Sequence, residues 1–388
     1  MEESLITSPA GILTVLSGIC AFFFYLEKRT KWKLFNYLPP LIFIYAIPAI
    51  LSNTNVLTQK SEVYDWFKSM ILPMFLVIML LRVDVASTIK VMGRGIIVML
   101  FGTLGVIIGA GVSFLIVKNK LPENSWKAFG VLSGSWIGGT GNMAAVSQGI
   151  EAEPQQFGLA VLGDNLVYII WLPLLLGSKS FAKVLNRFTR VDKNRIEMLE
   201  KVTITKQKTE DIEMRHFLYL FLIGFICVWI ADSISVKLPE FEPVFTASTY
   251  KILLITTMGL ILSMTPARNI PASHEFAMAL VYIFVANIGA KADVSQLDAS
   301  AGWFILACYI WIFIHGFFCL LGAYILKVDI HSTAIASAAN IGGAASAPVV
   351  ASHHNEKLVP VSILMALMGY AVGNYGAFVA AWLCMKLS

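Results

Sequence analysis

Hydrophobic and polar positions separate along this chain into long blocks rather than a short alternating rhythm. Apolar stretches run over 9–26, 34–51, 67–81, 95–117, 128–150, 156–176, 216–236, 249–264, 275–290, 301–326, 332–352 and 359–385. Blocks of this length, nearly free of charge, predict membrane helices, because only a helix or a closed barrel satisfies its own backbone where water is absent. Six blocks lie on each side of one polar break, 178–215, which carries ten Lys/Arg mixed with acids and reads as a linker.

Two blocks depart from this pattern. Residues 128–150 contain Ser133-Gly-Ser-Trp-Ile-Gly-Gly-Thr-Gly-Asn142, and residues 332–352 contain Asn340-Ile-Gly-Gly-Ala-Ala-Ser-Ala-Pro348. Both are poor in Leu and rich in Gly, Ser and Ala. Irregular backbone at membrane depth survives only when buried in protein or lining a cavity, so both predict re-entrant hairpins or broken helices. The segments also match each other. Ile137-Gly138-Gly139 corresponds to Ile341-Gly342-Gly343, Arg82-Val83-Asp84 to Lys291-Ala292-Asp293, Gly163-Asp164-Asn165 to Gly373-Asn374-Tyr375, and Trp171 to Trp382. The order is kept at nearly constant offset, which predicts a duplicated chain: a first repeat over 1–177, a cytoplasmic linker over 178–215 and a second repeat over 216–388.

Composition sharpens the class. Of 388 residues, 57% are hydrophobic and only 14% charged, with a mean hydropathy of +0.74; soluble domains carry about 25% charged residues. The net charge of +5 is no nucleic-acid signal, since the basic residues avoid the apolar blocks and lie in loops. With both odd blocks turning back and the N-terminus outside, 20 of the 29 Lys/Arg fall on the inner side, the arrangement that best fits the positive-inside rule. Five crossings per half make the repeats inverted. The expected fold is therefore an all-α polytopic membrane protein, with inverted repeats of five transmembrane helices, each carrying a Gly-rich hairpin. The first block follows an acidic N-terminus and lacks an A-x-A site, so it reads as a retained helix. The five cysteines lie within apolar blocks without a C-x-x-C pair and read as small hydrophobes.

The chemistry concentrates at three places. Asp164 lies about nine residues into its block, a depth at which an acid marks an ion, proton or substrate site by default. With Asn165 and the matching Asn374 it offers carboxylate and amide oxygens for Na⁺, or one carboxylate for a proton. The first tip offers Gly138, Gly139, Thr140, Gly141 and Asn142, with Ser133 and Ser135 leading into it. The second offers Asn340, Gly342, Gly343 and Ser346. Glycines there allow sharp turns and close ligand approach, and short helices starting at such tips aim positive dipole ends at an anionic solute. Tyr370 and Tyr375 fit either a cavity wall or packing, and His315 reads better as a satisfied core histidine than as a proton carrier. No Lys or Arg lies deep in any block, no metal-ligand cluster beyond a Na⁺ site is legible, and no cofactor is implied. No H-E-x-x-H, G-x-S-x-G or paired intramembrane aspartates are present, so an enzyme is not expected.

These motifs together resemble the YjcL-like family of bacterial membrane proteins of unassigned function, across essentially the whole chain. More distantly they are similar to sodium/glutamate symporters and 2-hydroxycarboxylate transporters, which carry G-G-x-G at re-entrant tips of inverted five-helix repeats. Gly138, Gly139 and Gly141 match that motif; in the second half Gly342-Gly343-Ala344-Ala345 has alanine at the final glycine. The resemblance implies a core that moves against a dimerising scaffold. The expectation is a cation-coupled (Na⁺ or H⁺) elevator-type secondary transporter of a small organic, anionic solute, homodimeric in the bacterial cytoplasmic membrane. An uncoupled channel or a sensor derived from a transporter fold is the alternative.

Overall fold

The computed structural model describes residues 4–36, 39–84, 93–191, 211–292 and 300–388. Residues 192–210, half of the polar break, fall outside the described residues, as does Asp293 of one repeat match. The protein is an all-α polytopic membrane protein. Among the described residues eight helices are long and apolar enough to cross a membrane, and two shorter apolar helices join them. With the helices of the two glycine-rich segments (α5, α11 and α12) added, the order along the chain is α1 (Pro9–Thr30), α2 (Pro40–Asn53), α3 (Glu62–Leu80), α4 (Arg94–Val117), α5 (Trp126–Gly149), α6 (Pro154–Gly177), α7 (Met214–Ser235), α8 (Ala247–Ser263), α9 (Ser273–Ala290), α10 (Ser300–Leu326), α11 (Ile330–Ile341), α12 (Gly343–His354) and α13 (Val359–Leu387).

Local chemistry sets the boundaries. Ser8 Oγ accepts from the Gly11 amide (3.2 Å) and starts α1 just ahead of Pro9, where a proline costs no hydrogen bond. The second apolar block extends from 34, yet its helix begins only at Pro40, after Pro39 in an extended conformation; a residue before proline is pushed out of the helical region. The third begins earlier than its apolar run, at Glu62, capped by Ser61, and carries a π-helical turn over Phe67–Ile71. Every residue of Leu72–Leu80 is buried, the mark of a helix enclosed by others.

Two elements turn back instead of crossing. α5 breaks at Gly139 (φ 72°, ψ −173°), a conformation essentially reserved for glycine. Gly130, Gly134 and Gly138 form a stripe at helical spacing, and a Cβ on Gly134 would stand 2.9 Å from Asn142 O and 3.0 Å from Met143 Cα. The arms thus lie backbone against backbone, and at the open end Lys127 Nζ donates to Glu151 O (2.9 Å). α11 and α12 form the second hairpin, hinged at Gly342 and Gly343 (φ 55°). Its ends meet where the imidazoles of His331 and His354 share a hydrogen bond (2.9 Å). Twelve residues per arm reach about 18 Å, short of a hydrocarbon core of about 30 Å.

The loops fall into two faces. One holds the N-terminal segment, bonded to residues 55–56, together with the C-terminus bonded by Lys118 Nζ and the base of α5 bonded by Thr249 Oγ1. The other joins Arg268 to Asp84 (3.2 Å), Arg94 to Leu326 O, Lys179 to His353 O and Asn186 to the Ile330 amide. The first hairpin therefore opens on the N-terminal face and the second on the opposite, linker-bearing face.

Packing sorts the elements into two layers. α4, α5, α6, α10, α11, α12 and α13 form one body, its heart the α4–α10 and α5–α13 pairs. In α4 the glycine stripe Gly102, Gly105 and Gly109 receives His315, Phe318 and Trp311 of α10, the close approach that small residues permit. α1, α2, α3, α7, α8 and α9 form the second layer through the α2–α9 and α3–α8 pairs.

Candidate functional site

The centre of the first body is where the two hairpin tips meet. A Cβ on Gly343 would stand 3.9 Å from Gly139 Cα, and one on Gly139 would stand 3.4 Å from the Tyr370 ring of α13. Thr140 and Gly342 beside them are only partly buried. The return arm of each hairpin starts at its tip, so two helix N-termini with free amides converge on one region. Asn142 is wedged between Gly138 and Gly373. Its Nδ2 donates to Tyr370 O (3.1 Å) while its buried Oδ1 has no partner. An orphaned buried acceptor costs about 1–3 kcal/mol, so this oxygen is open to a donor or a cation.

Asp164 lies one turn back from the first tip. α6 is started by Pro154 and a capping box in which Gln156 Oε1 accepts from the Glu153 amide (2.9 Å). Ten residues at 1.5 Å each carry Asp164 about 15 Å inward, to mid-depth. Ser135 Oγ donates to its Oδ2 (2.7 Å) and Trp136 Nε1 to its Oδ1 (2.9 Å). Both donors are neutral, and among the described residues no cationic side chain pairs with this carboxylate. Each oxygen accepts one bond and retains acceptor capacity, so the group can take a cation or a proton. One turn along α6, Tyr168 rests its ring 3.1 Å from where a Gly342 Cβ would stand. Its buried hydroxyl lies beside Ser346 without a well-formed hydrogen bond. α6 thus bridges the first hairpin, through Asp164, and the second tip, through Tyr168.

Several residues singled out from the sequence lie elsewhere. Asn165 turns away from Asp164 and donates to Val161 O (2.7 Å), because consecutive helical residues stand about 100° apart. Asn374 points to the other layer, donating to Thr256 Oγ1 of α8 (2.8 Å), so Asp164, Asn165 and Asn374 do not form one ligand set. Tyr375 also faces α8, its hydroxyl 2.7 Å from Thr257 Oγ1. Ser133 bonds back to Phe129 O, and Asn340 is bonded to Thr103 of α4. His315 is fully satisfied: Trp171 Nε1 donates to Ser337 Oγ, which leaves that hydroxyl to donate to Nε2, while Nδ1–H donates to Gly102 O (2.9 Å). Gly138, Gly139, Thr140, Gly141, Gly342, Gly343, Ser346 and Tyr370 do gather at the tips, with Ser135 holding Asp164. Sequence reasoning missed Trp136 and Tyr168 as partners. Tyr168 was legible in its i+4 spacing from Asp164, which puts both on one helix face.

The second layer closes over this region. Met79 of α3 reaches Gly141, and His274 of α9 stacks on Tyr370 with ring centres 6.4 Å apart. Among the described residues no group of three or more His, Cys, Asp or Glu is placed to hold a metal ion.

Comparison with known proteins agrees with this membrane architecture. The chain is 24% identical over 376 residues to the uncharacterized membrane protein YjcL of Bacillus subtilis (strain 168), covering 92% of each chain. Residues 14–386 match the family described as Protein of unknown function (DUF819), and the chain belongs to that family.

Proposed function

We propose that this protein is a cation-coupled secondary transporter of a small organic anion, working by an elevator-type exchange between the two faces. The observation that carries this reading is the meeting of two glycine-tipped hairpins from opposite faces beside one mid-depth carboxylate. Transporter sites are built where broken helices end at the bilayer midplane, with helix N-termini toward an anionic group and acceptor oxygens toward the coupling ion. Here the tip amides would hold the anion and Asp164 the Na⁺ or H⁺. We read residues 1–177 and 216–388 as inverted repeats, with the linker-bearing face in the cytoplasm of a bacterial cell and the second layer as the scaffold of a homodimer.

The relation of the layers suits an elevator. Gly141 meets Met79 near the linker-face end of α3, and Tyr370 stacks on His274 at the linker-face end of α9. The tips lie level with that edge of the scaffold, as in an inward-facing state, and a shift of the first body toward the N-terminal face would carry them outward.

The test is the thermal stability of the detergent-purified protein against Na⁺, K⁺ and pH at constant ionic strength, followed by solute flux in proteoliposomes. A ligand that binds only the folded state stabilises it by RT ln(1 + [L]/Kd). A saturable Na⁺-specific rise in Tm that vanishes in Asp164→Asn supports sodium coupling. A pH response lost in the same variant supports proton coupling. An Asp164→Asn protein with unchanged coupled flux overturns the role of Asp164, and flux without saturation or counterflow replaces the transporter by a channel.

A further inference from the structure

A second feature lies apart from the hairpin tips, where the return arm of the first hairpin meets the scaffold near the N-terminal face. A cavity of about 140 Å³ opens there between Ala144, Ser147 and Gln148 of α5 and the facing surfaces of α3 and α9. Asn287 of α9 lines it and is only 3% exposed, yet its Oδ1 has no hydrogen-bond partner. Polar groups buried in native proteins are nearly always paired, so this oxygen lacks a donor that the chain does not supply. Two cations reach the same cavity from separate helices, Lys68 and Lys291. Lys68 projects from the π-helical turn of α3, an irregularity that recurs at functional sites.

Other charges nearby are Glu151, which lines the cavity and accepts from Ser248 Oγ (3.1 Å), Lys127, whose Nζ donates to Glu151 O (2.9 Å), and Asp65, which lies 3.8 Å from Lys291. The cavity lining itself carries two positive groups against one negative. Tyr64, also in the wall, already donates its hydroxyl proton to Thr58 O (2.6 Å) and does not donate to Asn287.

We propose that this cavity is a second solute-binding subsite, taking a small monocarboxylate that also carries a hydrogen-bond donor. The carboxylate lies between Lys68 and Lys291, and the donor meets Asn287 Oδ1. Glu151 in the same lining disfavours a second negative charge. The subsite does not depend on the transport reading of the tips. Its position between the hairpin and the scaffold makes it a loading point on the N-terminal face if the first body moves.

Thiol accessibility tests this without knowledge of the transported solute. All five native cysteines are buried, so the wild-type protein is the low-background control. Ser147→Cys places a reporter inside the cavity, and Gln148→Cys serves if the first variant folds poorly. Purified full-length protein is treated with sulfonatoethyl or trimethylammonioethyl methanethiosulfonate, each rate being normalised to that of free cysteine. The anionic reagent should then react roughly fivefold or more faster than the cationic one, and the preference should fall to about one in a Lys68→Gln, Lys291→Gln background and at high salt. Lactate, which carries a hydroxyl, should protect the reporter at lower concentration than propionate, and Asn287→Leu should abolish that difference. Absent labelling of both reporters, a normalised ratio near one in the parent, or equal protection by the two acids overturns the proposal. None of these outcomes bears on Asp164 or on flux.

Discussion

At the scale of single residues, the protein separates glycines that set a backbone from those that only make room. Gly139 holds φ 72° and ψ −173°, where any side chain is strained by about 1–3 kcal/mol. Gly18 sits inside α1 with nothing within 4 Å of an added Cβ, and alanine there gains up to about 1 kcal/mol of helix propensity. Gly139→Ala should therefore lower Tm measurably while Gly18→Ala leaves it unchanged or raises it; thermal denaturation of both in one detergent checks the contrast, and equal behaviour counts against the strained tip. The sequence made Gly139 conspicuous through its neighbours Gly138 and Gly141. It did not reveal the azimuth of each side chain. Asn165 and Asn374 were legible as polar groups at depth, yet their partners, Val161 O and Thr256, were decided by which way α6 and α13 face.

At the scale of elements, the second hairpin is clasped at its base. His354 Nε2–H donates to Leu175 O (2.9 Å), which leaves its Nδ1 to accept from His331 Nδ1–H. The bond therefore needs His354 neutral, whereas His331 donates its Nδ1–H in either protonation state. Burial pushes both imidazoles below their usual 6.5, for His331 against the opposing pull of Asp329, with Lys179 and, for His354, the neighbouring histidines adding to the depression. A lowered folded-state value means the unfolded chain binds more protons at acid pH. The clasp's contribution is thus present above the unfolded value of about 6.5 and declines as pH falls below it. Thermal scans from pH 8 to 5 should show a decline that is shallower in His331→Asn; an identical slope in that variant removes the clasp from the pH response. That both odd segments were special was legible in their shortage of Leu. That each returns to its own face rests on contacts across the fold, Lys127 with Glu151 and His331 with His354, between residues more than twenty positions apart.

At the scale of the whole molecule, the two layers touch through a small set of polar bonds, among them Asn374 to Thr256 and Tyr45 to Pro154 O. If the first body travels along the scaffold, tying one such pair stops it. Oxidising a Thr256→Cys, Asn374→Cys pair should arrest solute flux in proteoliposomes and reduction should restore it, whereas full flux through the cross-linked protein would rule out relative motion at this interface. The membrane class, the number of apolar elements, the polar break and the two glycine-rich interruptions were all determined by the sequence itself. Each follows from a local free energy, the cost of exposing charge or unpaired backbone to hydrocarbon. Only the tertiary structure decided that the tips meet at Gly139 and Gly343, that Asp164 is held by Ser135 and Trp136 rather than joined to Asn374, and that Asn287 faces a cavity. Those outcomes depend on how helices rotate and slide against one another, and packing among distant segments fixes that geometry where hydropathy is equally satisfied by many arrangements.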